Sequence, residues 1–123
     1  MKGALTASRH ALAEIAQESG VPAYAHLPGR ISPPVCIVTA GSPYMEPGEV
    51  FGSFKVRNDV IVVCPPGDNE KATDTLDDMT EALVVGFSNA ECGITSVSQP
   101  FPLEVNGGTY PAVTIAVENT IHL

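Results

Sequence analysis

Three cysteines, three histidines and a helical row of acids are the residues of this 123-residue chain with the clearest chemical potential. Cys36, Cys64 and Cys92 follow one another at intervals of 28 residues. There is no C-x-x-C, and that interval matches no zinc-ligand signature. Cys36 lies inside an uncharged, β-branched segment, where a thiol behaves as a small hydrophobe. Cys64 at a strand end and Cys92 in a loop are the better candidates for reactivity. Nothing beside them in sequence would lower a thiol pKa, so a structural role is the expectation for all three. The odd count points to a reducing compartment. His10, His26 and His122 fall on a helix, a strand and the last residues, and metal or base chemistry would need them to meet carboxylates in space. No serine stands in a G-x-S-x-G frame. Gly107-Gly108 lacks the strand–loop–helix setting of a phosphate site. The expectation is therefore no catalytic residue, no metal ligand and no cofactor site.

The acids are more informative. Glu70, Asp74, Asp77, Asp78 and Glu81 recur at helical spacing, with Lys71 alone among them to offset the charge. Like charges three and four residues apart on a helix cost about 0.2–0.5 kcal/mol per pair. Glu70 gains from the helix dipole at the start of the segment, whereas Glu81 near its end does not. A stripe of this kind is either a solvated face or a surface that meets a basic partner or repels a polyanion.

The elements that must carry these residues follow from hydrophobic period and turn residues. Leu5 to Ser19 reads as a helix, closed by Gly20 and Pro22. Ala23–Leu27 is a short strand candidate. Val35–Ala40 reads as a buried strand, and the Gly- and Pro-rich stretch from Gly41 to Gly52 as a loop. That loop is unusually apolar, because it contains Tyr44, Met45, Val50 and Phe51. Ser53–Cys64 is the longest strand. Phe54, Val56, Val60 and Val62 share one face, and Lys55, Arg57 and Asp59 share the other until Ile61 and Val63 make it apolar. Asp68 or Asn69 caps a second helix, in which Ala72, Leu76, Met79 and Leu83 lie opposite the acids. Its end is expected near Gly86. Ile94–Ser98 and Thr109–Asn119 are strands, and Leu103-Glu104-Val105 pairs with Thr109-Tyr110 across the turn Asn106-Gly107-Gly108. The run Pro100-Phe101-Pro102-Leu103 is a second apolar anomaly. Exposed apolar loops mark interfaces, unless they fold back over the ends of the core. The order predicts one α+β domain over residues 1–123: a mainly antiparallel sheet of four to five strands with two helices on one face.

Charge and hydropathy narrow the function class. Fourteen Asp and Glu against six Lys and Arg give a net charge of −8. Residues 1–60 balance at five of each, so the second half carries the whole imbalance. Without a Lys/Arg cluster, binding to a phosphate backbone is excluded in practice. No apolar run approaches the ~20 residues of a membrane span. The lead Met1-Lys2-Gly3 does not open into the apolar stretch of a signal peptide.

The sequence of segments is itself distinctive. After the first helix come Val21-Pro22-Ala23-Tyr24-Ala25-His26-Leu27-Pro28-Gly29-Arg30, the strand Pro33 to Thr39, and Gly41-Ser42-Pro43-Tyr44. Phe51-Gly52-Ser53-Phe54 then enters the long strand. The acidic helix Asn69 to Leu83 and Asn106-Gly107-Gly108-Thr109-Tyr110 complete the series. This pattern resembles the tail terminator (head–tail joining) proteins of long-tailed actinobacterial phages, which are similar in fold to the lambda-type tail terminator. The resemblance covers nearly the whole chain. It implies a protomer of a hexameric ring seated on the tail tube, stopping its polymerisation and presenting a surface to neck or head-completion proteins. The ring would be part of the virion, assembled in the host cytoplasm, with DNA passing through it unbound and no catalysis. On that reading Glu70, Asp74, Asp77, Asp78 and Glu81 form an acidic channel or interface face. Lys55 and Arg57, as candidate partners of a neighbour's acidic helix, and Tyr44, Met45 and Phe51 are expected at subunit contacts. The alternatives are a connector or tube subunit of the same virion, or, from another class, a small ligand-binding or regulatory α+β module.

Overall fold

The computed structural model describes residues 3–67, 69–105 and 107–123, and of Asn69 the backbone alone. Met1 and Lys2, the capping candidate Asp68 and the turn residue Asn106 lie outside the described residues. The chain runs α1 (Ala4–Glu18), β1 (Ala23–Tyr24), β2 (Val35–Pro47), β3 (Ser53–Val63), α2 (Asn69–Asn89), β4 (Gly93–Val97), β5 (Phe101–Val105) and β6 (Gly108–His122). It is an α+β fold in which β1–β2–β3–β6–β4 form one sheet and β5 pairs with the first half of β6. All pairings are antiparallel except β1 with β2.

The sheet has six strands where four to five were expected. The sixth is β5, in which the expected hairpin partner Leu103-Glu104-Val105 extends back through Phe101 and Pro102 of the apolar run as an edge strand. Pro102 is tolerated there because an edge strand needs only one side of its ladder. Likewise Gly41–Pro47, expected as loop, continues β2 past a bulge between Ala40 and Met45. A Cβ on Gly41 would stand 2.9 Å from Cβ of Arg57 and 3.0 Å from its carbonyl, so only glycine lets the bulged strand close on β3.

Both helices pack on one face of the sheet. Leu12, Ala13 and Ala16 of α1 and Leu76, Leu83 and Phe87 of α2 bury against Cys36, Val38, Val60, Val62, Val113, Ile115 and Val117. The opposite face divides along the strands. At one end Val35, Ile37 and Val63 are covered by Ile31, Leu103 and Tyr110. At the other end it is charged and open, as the alternation in β3 predicted.

Helix ends explain a second difference. α1 stops as expected, with Gly20 at φ 94° and backbone bonds from Gly20 N to Gln17 O and from Val21 N to Ala16 O. α2 continues through Gly86, which sits against Ser19 and Ile15 of α1; that glycine serves a helix–helix approach. The same pair of closing bonds, Glu91 N to Ser88 O and Cys92 N to Phe87 O, comes later, with Glu91 at φ 62° in the left-handed region.

Candidate functional site

The residues of reactive type are dispersed by this fold. Cys36 and Cys64 are buried and Cys92 is half-buried beside the core. Burial pushes the Cys36 thiol up to about 12 and raises those of Cys64 and Cys92. Burial favours the protonated thiol at all three, and Cys64 gains no access from its place at a strand end. His10 lies on α1, His26 stands edge-on to Tyr24 with ring centroids 6.2 Å apart, and His122 ends β6. Among the described residues, no three His, Cys, Asp or Glu side chains are grouped to hold a metal. No helix among them is long and apolar enough to cross a membrane.

The acidic stripe is realised on α2. Its Leu76, Leu83 and Phe87 side reaches the core, so the 3.6-residue period turns Glu70, Asp74, Asp77, Asp78 and Glu81 outward, and all five are exposed. The stripe continues into a shallow groove of about 510 Å³, where Asp78, Glu81 and the exposed Val85 face Ser19 at the end of α1.

Lys55 and Arg57, expected as candidate partners of a neighbour's acidic helix, have acidic partners within the chain. Arg57 bonds through Nη1 to Glu46 Oε1 and lies 3.4 Å through Nε from Glu118 Oε2. Lys55 Nζ is 3.9 Å from the same glutamate. The register accounts for this: Glu46 stands opposite Lys55 on β2, and Glu118 opposite Arg57 on β6. Sequence separation hid these partners, which only the sheet brings together. Asp59, on the same face between Thr39 and Ala116, has its carboxyl raised by burial.

The apolar residues expected in one loop separate into two groups. Tyr44 and Met45 are half-buried in the bulged part of β2, and Arg9 Nη1 of α1 reaches Tyr44 Oη at 3.4 Å. Val50 and Phe51 form the β2–β3 turn and point outward, Val50 at 67% and Phe51 at 106% relative exposure. Ser53 Oγ donates to Val50 O at 2.6 Å and accepts from Val50 N at 3.2 Å, while Leu123 N bonds to Gly52 O at 2.7 Å. The turn is thus a braced platform for an exposed phenyl ring. A second apolar surface lies at the opposite end of the sheet, where Pro66, Ala72, Leu76, Pro100 and Pro111 line a cavity of about 210 Å³. An adjoining groove of about 420 Å³ shares Pro66 and Ala72 and adds Lys71. Sequence pattern did not find this surface, because its walls come from the β3–α2 link, α2, the β4–β5 link and β6.

No protein-family model matches the chain, and no curated protein matches it.

Proposed function

We propose that this chain is a structural protein of a long-tailed phage: a tail terminator whose ring caps the tail tube, stops its growth and joins it to the neck or head. The observation that carries this reading is the one-sided acidity of α2. Five exposed carboxylates stand on a helix whose other side is core, on a chain with net charge −8. A ring bearing that face toward its channel would repel the phosphate backbone and let DNA slide through without sticking. The α+β architecture and the order of segments support the same reading through the resemblance to lambda-type terminators. The ring is taken as a hexamer in the virion, with the tail tube protein on one side and a neck or head-completion protein on the other.

The test is to add the purified chain to polymerising tail tube subunits and image the products in negative stain. Six-fold rings with a central hole, and tubes that stop growing once capped, are the expected outcome. Rings that leave tube growth unaffected would move the protein to a connector role, and long tubes of the chain alone would make it a tube subunit. A compact dimer would overturn the virion reading in favour of a small ligand-binding module.

A further inference from the structure

A closed ring of more than two copies needs two different patches on each protomer, one meeting the other on the next copy. The turn that bears Phe51 and the proline-walled groove satisfy that requirement by position. Along the β3–β6 ladder, Ser53 pairs with His122 at the turn end and Val63 with Ala112 at the groove end. The ten intervening steps, at about 3.3 Å each, separate the two patches by roughly 33 Å. A protomer therefore cannot fill its own groove.

Resting on the ring reading, we infer that Phe51 of one copy inserts into the groove between α2 and the start of β6 on the next copy, with Glu49 facing Lys71. The knob is preorganised, since Ser53 and Leu123 brace the turn in the free chain, and an anchor already held in place loses little freedom on binding. The socket has rigid proline walls and a floor of buried Leu76. Charge agrees with shape. Glu49 is the one charged residue of the segment from Gly48 to Gly52, and among the described residues lining the wider groove Lys71 is the charged one. On the helix Lys71 lies about 75° round from the centre of the acidic stripe, toward Thr75 and the groove. The contact is head-to-tail, so repetition closes a ring or extends a filament.

The experiment compares the assembly of wild-type chain, Phe51→Asp, Glu49→Lys, Lys71→Glu and the double charge swap, by mass photometry over a concentration series. Phe51 is fully exposed, so Phe51→Asp is expected to keep the wild-type circular dichroism and melting temperature. Its assembly midpoint is expected to rise at least about tenfold in concentration, the scale of a lost aromatic anchor. Each single charge reversal should weaken assembly, and the swap, which restores both the pair and the net charge, should recover most of it. If Phe51→Asp forms rings at the wild-type midpoint, this contact is wrong while the ring reading stands. If the swap is no better than its two parents, Glu49 does not face Lys71 and the docking mode is overturned. A wild-type chain that forms no ring, alone or on tube ends, overturns both.

Discussion

Arg57 and Asn58 are consecutive residues of β3, and the strand sends them into opposite surroundings. Arg57 faces the open side of the sheet, where Glu46 and Glu118 reach it from the flanking strands and water remains close. Asn58 faces the helices and is wholly buried. Across the ladder it has Ala40 and Val117, and along its own strand face Val56 and Val60. None of these offers a side-chain donor or acceptor, and among the described residues both polar atoms of the Asn58 amide are without a partner. Placing a charge on a half-wet sheet face costs little and returns little, whereas an unbonded amide in a packed interior costs about 1–3 kcal/mol. The difference teaches that polarity in this sheet is governed by which face the two-residue period selects, not by how many charges a strand carries.

The largest effect expected from this contrast belongs to the helix side. Phe87 is completely buried between α2 and the sheet, and Phe87→Ala should lose about 3–5 kcal/mol of unfolding free energy in a urea titration. Leu103, half-buried over the second and smaller cluster on the open face, should lose less than half as much on Leu103→Ala. Equal losses would mean that both faces are comparable cores, and the contrast would fall.

Asn58→Val should act in the opposite direction. Valine removes two unbonded polar atoms, suits a central strand, and continues the row of Val56, Val60 and Val62, so stability should rise by about 1–3 kcal/mol. A loss on this substitution would show that the amide has a bonding partner in solution.

How much of this was legible in advance follows the same line. The alternation in β3 and the 3.6-residue period in α2 were plain, because each is written within one segment: Val60 and Val62 against Lys55 and Arg57, Leu76 and Leu83 against Asp74 and Asp78. What failed was whatever depends on a second segment. The Gly41–Pro47 stretch looked like loop from its glycine and prolines, yet Gly41 is there because Arg57 backbone approaches it. Gly86 looked like a helix stop, yet it faces Ser19. The ion partners of Lys55 and Arg57 lie on neighbouring strands. Phe51 was a candidate from sequence, but the groove at the far end of the sheet is assembled from four separate segments and leaves no local signature.

The smallest effect tests the wet face at its dry margin. Asp59 is two residues from Arg57 on the same side, flanked by Thr39 and Ala116 where the charged half gives way to Ile61 and the smaller cluster. Burial raises its carboxyl above the usual value, so the folded state holds its proton more tightly than the unfolded chain does. The stabilisation from that tighter hold is fully present below the unfolded carboxylate pKa of about 3.9, and it is lost as pH rises through the folded value. Asp59→Asn keeps the shape and removes the ionisation. Relative to wild type it should be indistinguishable near pH 3 and more stable at pH 7, by less than the gain from Asn58→Val, because this side chain retains contact with water. Urea titrations of both proteins at the two pH values decide the matter. A gap of the same size at both would assign the effect to packing rather than charge, and would place Asp59 on the dry side of the boundary that separates Arg57 from Asn58.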